Sequence, residues 1–203
     1  MANYSELAVN EVVEKTIESL KKNGIAAELA ANREEAKKRV LELVPEGAEV
    51  FTYTSQTLLE TGIAKEINES GRFDSVRVKF TKMDKLKQAG EMRKLGAAPD
   101  FALGSVHAVT EDGKLLIASA SGSQIPAYVY GAGKVIWVVG TQKIVKNPGE
   151  GMKRIYEYVL PLENERALKA YGAPSSVNKL LTIFKESGPE RLHVIFVNEK
   201  LGF

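Results

Sequence analysis

The chain has 203 residues, 28 basic against 26 acidic, for a formal net charge of +2. Folding a chain of this length buries roughly 70% of its unfolded surface, enough for one sizeable core. The two signs of charge are interspersed, so there is no one-sign field and nucleic acid is not an expected partner. No cysteine is present, which excludes a disulfide scaffold, a thiol nucleophile and a thiolate-held iron–sulfur or zinc site within the chain.

Hydrophobic residues at 44% and charged residues at 27% are globular proportions, and a single domain over residues 1–203 is expected. Only His107 and His193 are available as imidazole ligands, with no local spacing signal, so no metal site is expected. Met1–Leu20 carries acidic residues and lacks a continuous apolar segment, unlike a secretory signal. No apolar run approaches the roughly 18 residues of a membrane span. A cytoplasmic location without a membrane partner is the expectation.

In chain order, Leu7, Val12, Val13, Ile17 and Leu20 recur at helical spacing ahead of Gly24, which predicts an amphipathic helix over Ser5–Asn23. After a short segment, Ile25–Leu29, Asn32 with Glu35 three positions on has the pattern of a capping box. The helix it opens carries Ala36, Val40, Leu43 and Val44 and stops at Pro45 and Gly47. Glu49–Tyr53 is β-rich, and Ser55 is placed to cap a helix with Leu58, Leu59, Ile63 and Ile67 on one face. Ser75–Phe80 alternates Val76, Val78 and Phe80 with Arg77 and Lys79, the period of a half-exposed strand. The lysine-rich stretch Met83–Leu95 reads as a solvated helix ending at Gly96.

Beyond Pro99 the composition shifts toward Gly, Ser, Ala and Val. Two apolar runs, Phe101–Thr110 and Leu115–Ser119, flank Glu111-Asp112-Gly113-Lys114, and Asp-Gly predicts a tight hairpin turn. Lys134–Val139 reads as a central strand covered on both faces. Pro148 suits the first turn of a helix carrying Met152, Ile155 and Val159, and Pro161 is expected to interrupt it before Ala167–Ala170. Lys179–Phe184, the turn Glu186–Pro189 and Arg191–Val197 suggest a hairpin or sheet-edge pair. The alternation argues for an α/β sheet with helices on both faces.

Four segments carry candidate chemistry. The Ser119-Ala120-Ser121-Gly122-Ser123-Gln124 loop follows a strand, and its hydroxyls and amides suit an anion, although it matches neither a Walker A loop nor a dinucleotide fingerprint. The alternative is a loop kept small for packing. His107 is either a proton shuttle or a satisfied structural residue. Glu111 is a base, a nucleophile or simply a solvated turn acid. Gly140-Thr141-Gln142-Lys143 follows the central strand, where open α/β sheets bind ligands, and Lys143 is placed to pair with phosphate or carboxylate. Asn178 and Lys179, beside Ser175 and Ser176, form a weaker polar cluster.

Three stretches resemble the LUD domain family, which includes lactate-utilisation proteins. They are Leu103-Gly104-Ser105-Val106-His107-Ala108-Val109-Thr110-Glu111-Asp112-Gly113, Ala118 to Pro126, and Val135-Ile136-Trp137-Val138-Val139-Gly140-Thr141-Gln142-Lys143-Ile144-Val145. The resemblance implies a fold like ribose-5-phosphate isomerase A, glucosamine-6-phosphate deaminase and the coenzyme A transferases, with Ser119 to Gln124 in the place of their ligand loop. It further implies a cluster-free component of organic-acid utilisation, with iron–sulfur clusters on partner oxidoreductase subunits and a small anionic metabolite as ligand. The Glu111-Asp112-Gly113-Lys114 turn departs from the type associated with lactate-linked members. An isomerase or acyl transferase using Glu111 and His107, a non-catalytic assembly module, and a homo-oligomer all stay open.

Overall fold

The computed structural model describes residues 3–188 and 190–203; Met1, Ala2 and Pro189, the last in the expected Glu186–Pro189 turn, lie outside them. In chain order the strands are β1 (Ala26–Ala30), β2 (Glu49–Thr52), β3 (Asp74–Ser75), β4 (Phe101–Gly104), β5 (Ala108–Thr110), β6 (Leu115–Ser119), β7 (Lys134–Gly140), β8 (Ile144–Val145), β9 (Lys179–Ile183) and β10 (Leu192–Val197). The helices are α1 (Asn10–Lys22), α2 (Arg33–Leu43), α3 (Gln56–Glu60), α4 (Ile63–Glu69), α5 (Val76–Thr81), α6 (Ala89–Ala97), α7 (Pro148–Arg154) and α8 (Leu160–Tyr171).

Six strands form an all-parallel sheet in the order β1-β10-β7-β4-β2-β3, and the other four form a smaller sheet in the order β8-β5-β6-β9. Alternate residues of the large sheet enter different cores. Val50, Leu103, Ile136, Val138 and Ile195 pack on Ala36, Val40, Leu58, Ile63 and Ile67 of α2, α3 and α4. Phe51, Ala102, Val135, Trp137 and Phe196 pack instead with Leu20 of α1, Val76 of α5 and the inner face of the small sheet, Val109, Leu115 and Ile117. The outer face of the small sheet, Ala108, Leu116 and Ala118, is covered by Ile155 beyond α7. Central strands covered on both sides become continuous apolar runs, as β7 and β10 do.

Local chemistry sets several boundaries. The Asn32 side chain accepts from the Glu35 amide at 2.9 Å and the Glu35 carboxylate accepts from the Ala31 amide at 2.7 Å, a reciprocal cap for α2. Ser55 caps α3, and Gly62, at φ +69°, divides α3 from α4. Asn147 accepts from the Glu150 amide and Pro148 opens α7.

Other elements depart from the sequence reading. The first helix begins at Asn10 rather than Ser5, whose hydroxyl is taken by Asn3 Oδ1 at 2.7 Å. The Met83–Leu95 helix is shorter and later, Ala89–Ala97. Ser75–Phe80 is not a strand: Ser75 Oγ accepts from the Val78 amide at 3.2 Å and starts α5, so Val76 and Phe80, four apart, reach one core. The run Phe101–Thr110 is two strands in different sheets. The break follows Gly104, where a Cβ would lie 1.9 Å from Tyr128 Oη.

Pro161 does not interrupt the last helix. The π-helical turn Ile155–Val159 joins α7 to α8 directly, re-registering the backbone just before the residue that lacks an N–H. Lys179–Phe184 and Arg191–Val197 do not pair with each other. β9 runs antiparallel to β6 at the edge of the small sheet, whereas β10, with all six residues buried, lies between β1 and β7.

Candidate functional site

Two crossovers carry the chain from the carboxyl ends of the large sheet into the small one. Ser105–His107 link β4 to β5, and the 3-10 turn Thr141–Lys143 links β7 to β8. Because β4 pairs with β7 and β5 with β8, both parallel, the crossovers run side by side. A cavity of about 440 Å³ opens there, walled by the segment after β2 (Tyr53–Thr57), the loop after β6 and one side of α8 from Leu160 to Tyr171. The carboxyl ends of parallel strands are where open α/β sheets bind ligands.

Lys143 reaches this cavity but is only 3% exposed. Its Nζ donates to Thr57 Oγ1 and Ser105 Oγ, each at 3.1 Å. The Ser105 hydroxyl donates onward to the Val138 carbonyl at 2.7 Å and the Thr57 hydroxyl to the Leu201 carbonyl at 3.3 Å, so both present lone pairs to the amine. Among the described residues no carboxylate forms an ion pair with Lys143. Burial first, and the Arg154 charge second, hold its pKa down at about 7; Glu60, whose carboxylate accepts from the Gly202 amide, pulls weakly the other way.

His107 lines the same cavity. Its Nδ1 accepts from the Ala118 amide at 3.1 Å, which leaves the proton on Nε2. Burial, followed by the charges of Lys143 and Arg154, depresses its pKa to about 3, so the imidazole is a neutral donor at physiological pH. Arg154 is wholly buried behind the crossover, its own pKa lowered by burial to about 10.

Arg77 also faces the cavity. Its Nε and Nη2 donate to the Thr52 carbonyl at 2.9 and 2.6 Å, and it forms no ion pair with a described carboxylate. Glu163, an acidic side chain of the lining, is held by Arg166 through two bonds of 2.7 Å. The side chains around the cavity thus carry uncompensated positive charge.

The Ser119–Gln124 loop forms another wall. Ser119 Oγ accepts from the Gly122 amide at 2.8 Å and donates to Gln124 Oε1 at 2.9 Å, which shapes the bend, and Ser121 and Ser123 stand 3.2 Å apart at its exposed tip. Ser119, Ser121, Ser123 and Gln124 line the cavity. Gly122 does not; it takes φ +84°, and a Cβ there would meet the Lys179 side chain at 2.6 Å. No α-helix opens after the bend, only the π-helical turn Ala127–Gly131. Asn178 and Lys179 close onto this loop through the Ala120 carbonyl, while Ser175 and Ser176 reach the cavity.

Other candidates fall elsewhere. Glu111 sits on the hairpin turn and pairs with Lys15 at 2.8 Å, away from the cavity lining. Gln142 is buried with its Nε2 on the Leu201 carbonyl at 2.9 Å, and Thr141 is buried with its hydroxyl unpartnered. Gly140 permits a close backbone approach, since a Cβ would lie 2.6 Å from the Glu199 carbonyl. Among the described residues no three His, Asp or Glu side chains cluster as a metal would need, and no helix is long and apolar enough to cross a membrane.

Known proteins complete the picture. The profile of the LUD domain matches residues 13–197. The chain belongs to the LUD domain family. A crystal structure of a DUF162 family protein from Deinococcus radiodurans superposes on this LUD domain with a TM-score of 0.58 at 16% identity, covering 95% of this chain and 100% of that one. The β subunit of eIF2B from Chaetomium thermophilum gives a TM-score of 0.38 at 14% identity over 56% of this chain and 43% of that one. Its δ subunit gives 0.35 at 20% identity over 53% and 46%. No curated protein matches.

Thr57, Ser105 and Arg77 belong to no site motif legible in the sequence. Arg154 did leave a signal: it lies on the buried stripe Gly151, Arg154, Ile155, Val159, where an arginine has no reason to be unless something binds it.

Proposed function

We propose that this LUD domain binds a small organic anion, an organic acid of the lactate and pyruvate class, in the cavity between the two crossovers. The observation that carries the reading is that Lys143 and Arg77 both face one cavity with no carboxylate partner. Holding cationic groups away from water costs free energy unless an opposite charge compensates. A ligand carboxylate supplies that charge, and the Ser121 and Ser123 hydroxyls and the Nε2 proton of His107 supply hydrogen bonds around it. A volume of about 440 Å³ suits a small metabolite. In this reading the chain carries no cofactor, and any iron–sulfur cluster of the system sits on a partner subunit.

Calorimetry with L-lactate, pyruvate and sugar phosphates tests the proposal on wild type, Arg77→Ala and Ser123→Ala. Wild type is expected to bind at least one of them, and Arg77→Ala to weaken that binding about tenfold, roughly 1.4 kcal/mol. Absence of binding by every one of these anions overturns it.

A further inference from the structure

We propose that the Lys143 amine is a nucleophile that forms an imine with a small carbonyl compound bearing an anionic group. This rests on the anion-binding reading above and names the ligand chemistry that the same cavity takes.

The hydrogen-bond inventory of Nζ is the starting point. An ammonium has three N–H donors, whereas a neutral amine has two and a lone pair. Lys143 has two acceptors, Thr57 Oγ1 and Ser105 Oγ, and both hydroxyl protons are already committed to the Leu201 and Val138 carbonyls. With both N–H bonds spent on those oxygens, the third position of the nitrogen is free, and the residue lines the cavity. The buried Arg154 charge further disfavours the ammonium. A desolvated lysine beside another cationic group is a recognised arrangement for an amine that attacks carbonyls.

The remaining lining fits such a reaction. Arg77 holds the anionic end of the ligand, so the carbonyl, rather than the negative charge, is presented to the amine. His107 offers its Nε2 proton to the carbonyl oxygen, which polarises the C=O bond without a change in its own charge. Val106, Tyr128, Ile155 and Val159 form the apolar side of the lining.

The chemistry balances without an outside oxidant or reductant. The Nζ lone pair forms the C–N bond while the carbonyl π pair moves to oxygen, which takes one amine proton. The C–O bond of that carbinolamine then breaks. Its oxygen leaves with the second amine proton as one water, and C=N remains.

Borohydride trapping is the test. The intact protein is incubated near pH 7 with pyruvate in one arm and dihydroxyacetone phosphate in another, reduced, digested and mapped by mass spectrometry. A reduced adduct is expected at Lys143, formed on the order of a hundredfold faster than at surface lysines: the free-amine fraction is about a thousandfold larger, and lower basicity offsets part of that. Lys143→Arg is expected to abolish the adduct. Arg77→Ala is expected to slow trapping at low ligand concentration and to leave it intact at saturation. The arm that reacts distinguishes a carboxylate from a phosphate as the anionic group. Calorimetric binding of pyruvate or dihydroxyacetone phosphate with no adduct at Lys143 overturns the imine and leaves anion binding standing. Neither binding nor an adduct overturns both. Labelling of Lys143 no faster than surface lysines also overturns the imine.

Discussion

Arg154 Nη1 donates to the main-chain carbonyl of His107 at 2.6 Å, which fastens a buried charge on α7 to the crossover carrying the imidazole. The other buried donors of that guanidinium, Nε and Nη2, find no partner among the described residues, and its carbon stands 5.2 Å from the Tyr158 ring centre. This charge is unneutralised close enough to act on both Lys143 and His107, and it disfavours protonation of each.

Replacing Arg154 with methionine keeps most of the buried volume and removes the charge. The Lys143 midpoint is expected to rise toward the ordinary lysine value, and Arg154→Lys, which keeps a charge, to raise it less. Titration of the Lys143 ¹³Cε resonance in each variant measures this.

Stability should depend on pH through Lys143. An unfolded lysine titrates near 10.5 and the folded one near 7, so between those values the unfolded chain binds a proton that the folded chain does not. Stability therefore rises with pH across this window. Below pH 7 the full penalty of the buried charge applies, on the order of 5 kcal/mol. Urea unfolding at pH 7 and pH 9 should show a gain for wild type that Lys143→Met lacks.

His107 works the same way on the acid side. Its pKa falls from 6.5 to about 3 on folding, so stability is lost as pH drops from 6.5 toward 3. His107→Asn keeps an acceptor for the Ala118 amide without the titration, and its acid limb is expected to be flatter in the same unfolding measurement.

Ser119 shapes the Ser119–Gln124 bend, its hydroxyl bonded to both the Gly122 amide and Gln124 Oε1. Ser119→Ala should lower stability by about 1–2 kcal/mol and weaken ligand binding more than that loss alone explains, because the bend loses its shape. Thermal melts paired with calorimetry separate the two effects.

Glu111→Gln removes only a partly exposed ion pair with Lys15. Less than about 1 kcal/mol of stability should change, and ligand affinity should not move in calorimetry.

Much of this was legible in the residues themselves. The Asn32 and Ser55 caps, the Asp112-Gly113 hairpin and the apolar run of β7 are local signals, and each stands in the structure. The Ser119–Gln124 loop and Lys143 were legible as candidates because strand ends with small or charged residues announce themselves. Their partners were not. Thr57, Ser105 and Lys143 meet only because three parallel strands end at one level, a relation between segments far apart in sequence. Arg77 was hidden by the reading of Ser75–Phe80 as a strand, since five alternating residues fit either period until the Ser75 cap decides. β10 was misplaced because a final apolar run does not say which neighbours it will take.

Lys143 as a buried amine awaiting an anion is tested most directly by ¹³C NMR titration of its Cε with and without saturating L-lactate, an anion that has no ketone or aldehyde to form an imine. The account predicts a midpoint near 7 in the free protein and a higher one with the anion bound, because a nearby negative charge favours the ammonium. A free-protein midpoint near 10.5, unmoved by L-lactate, would contradict it.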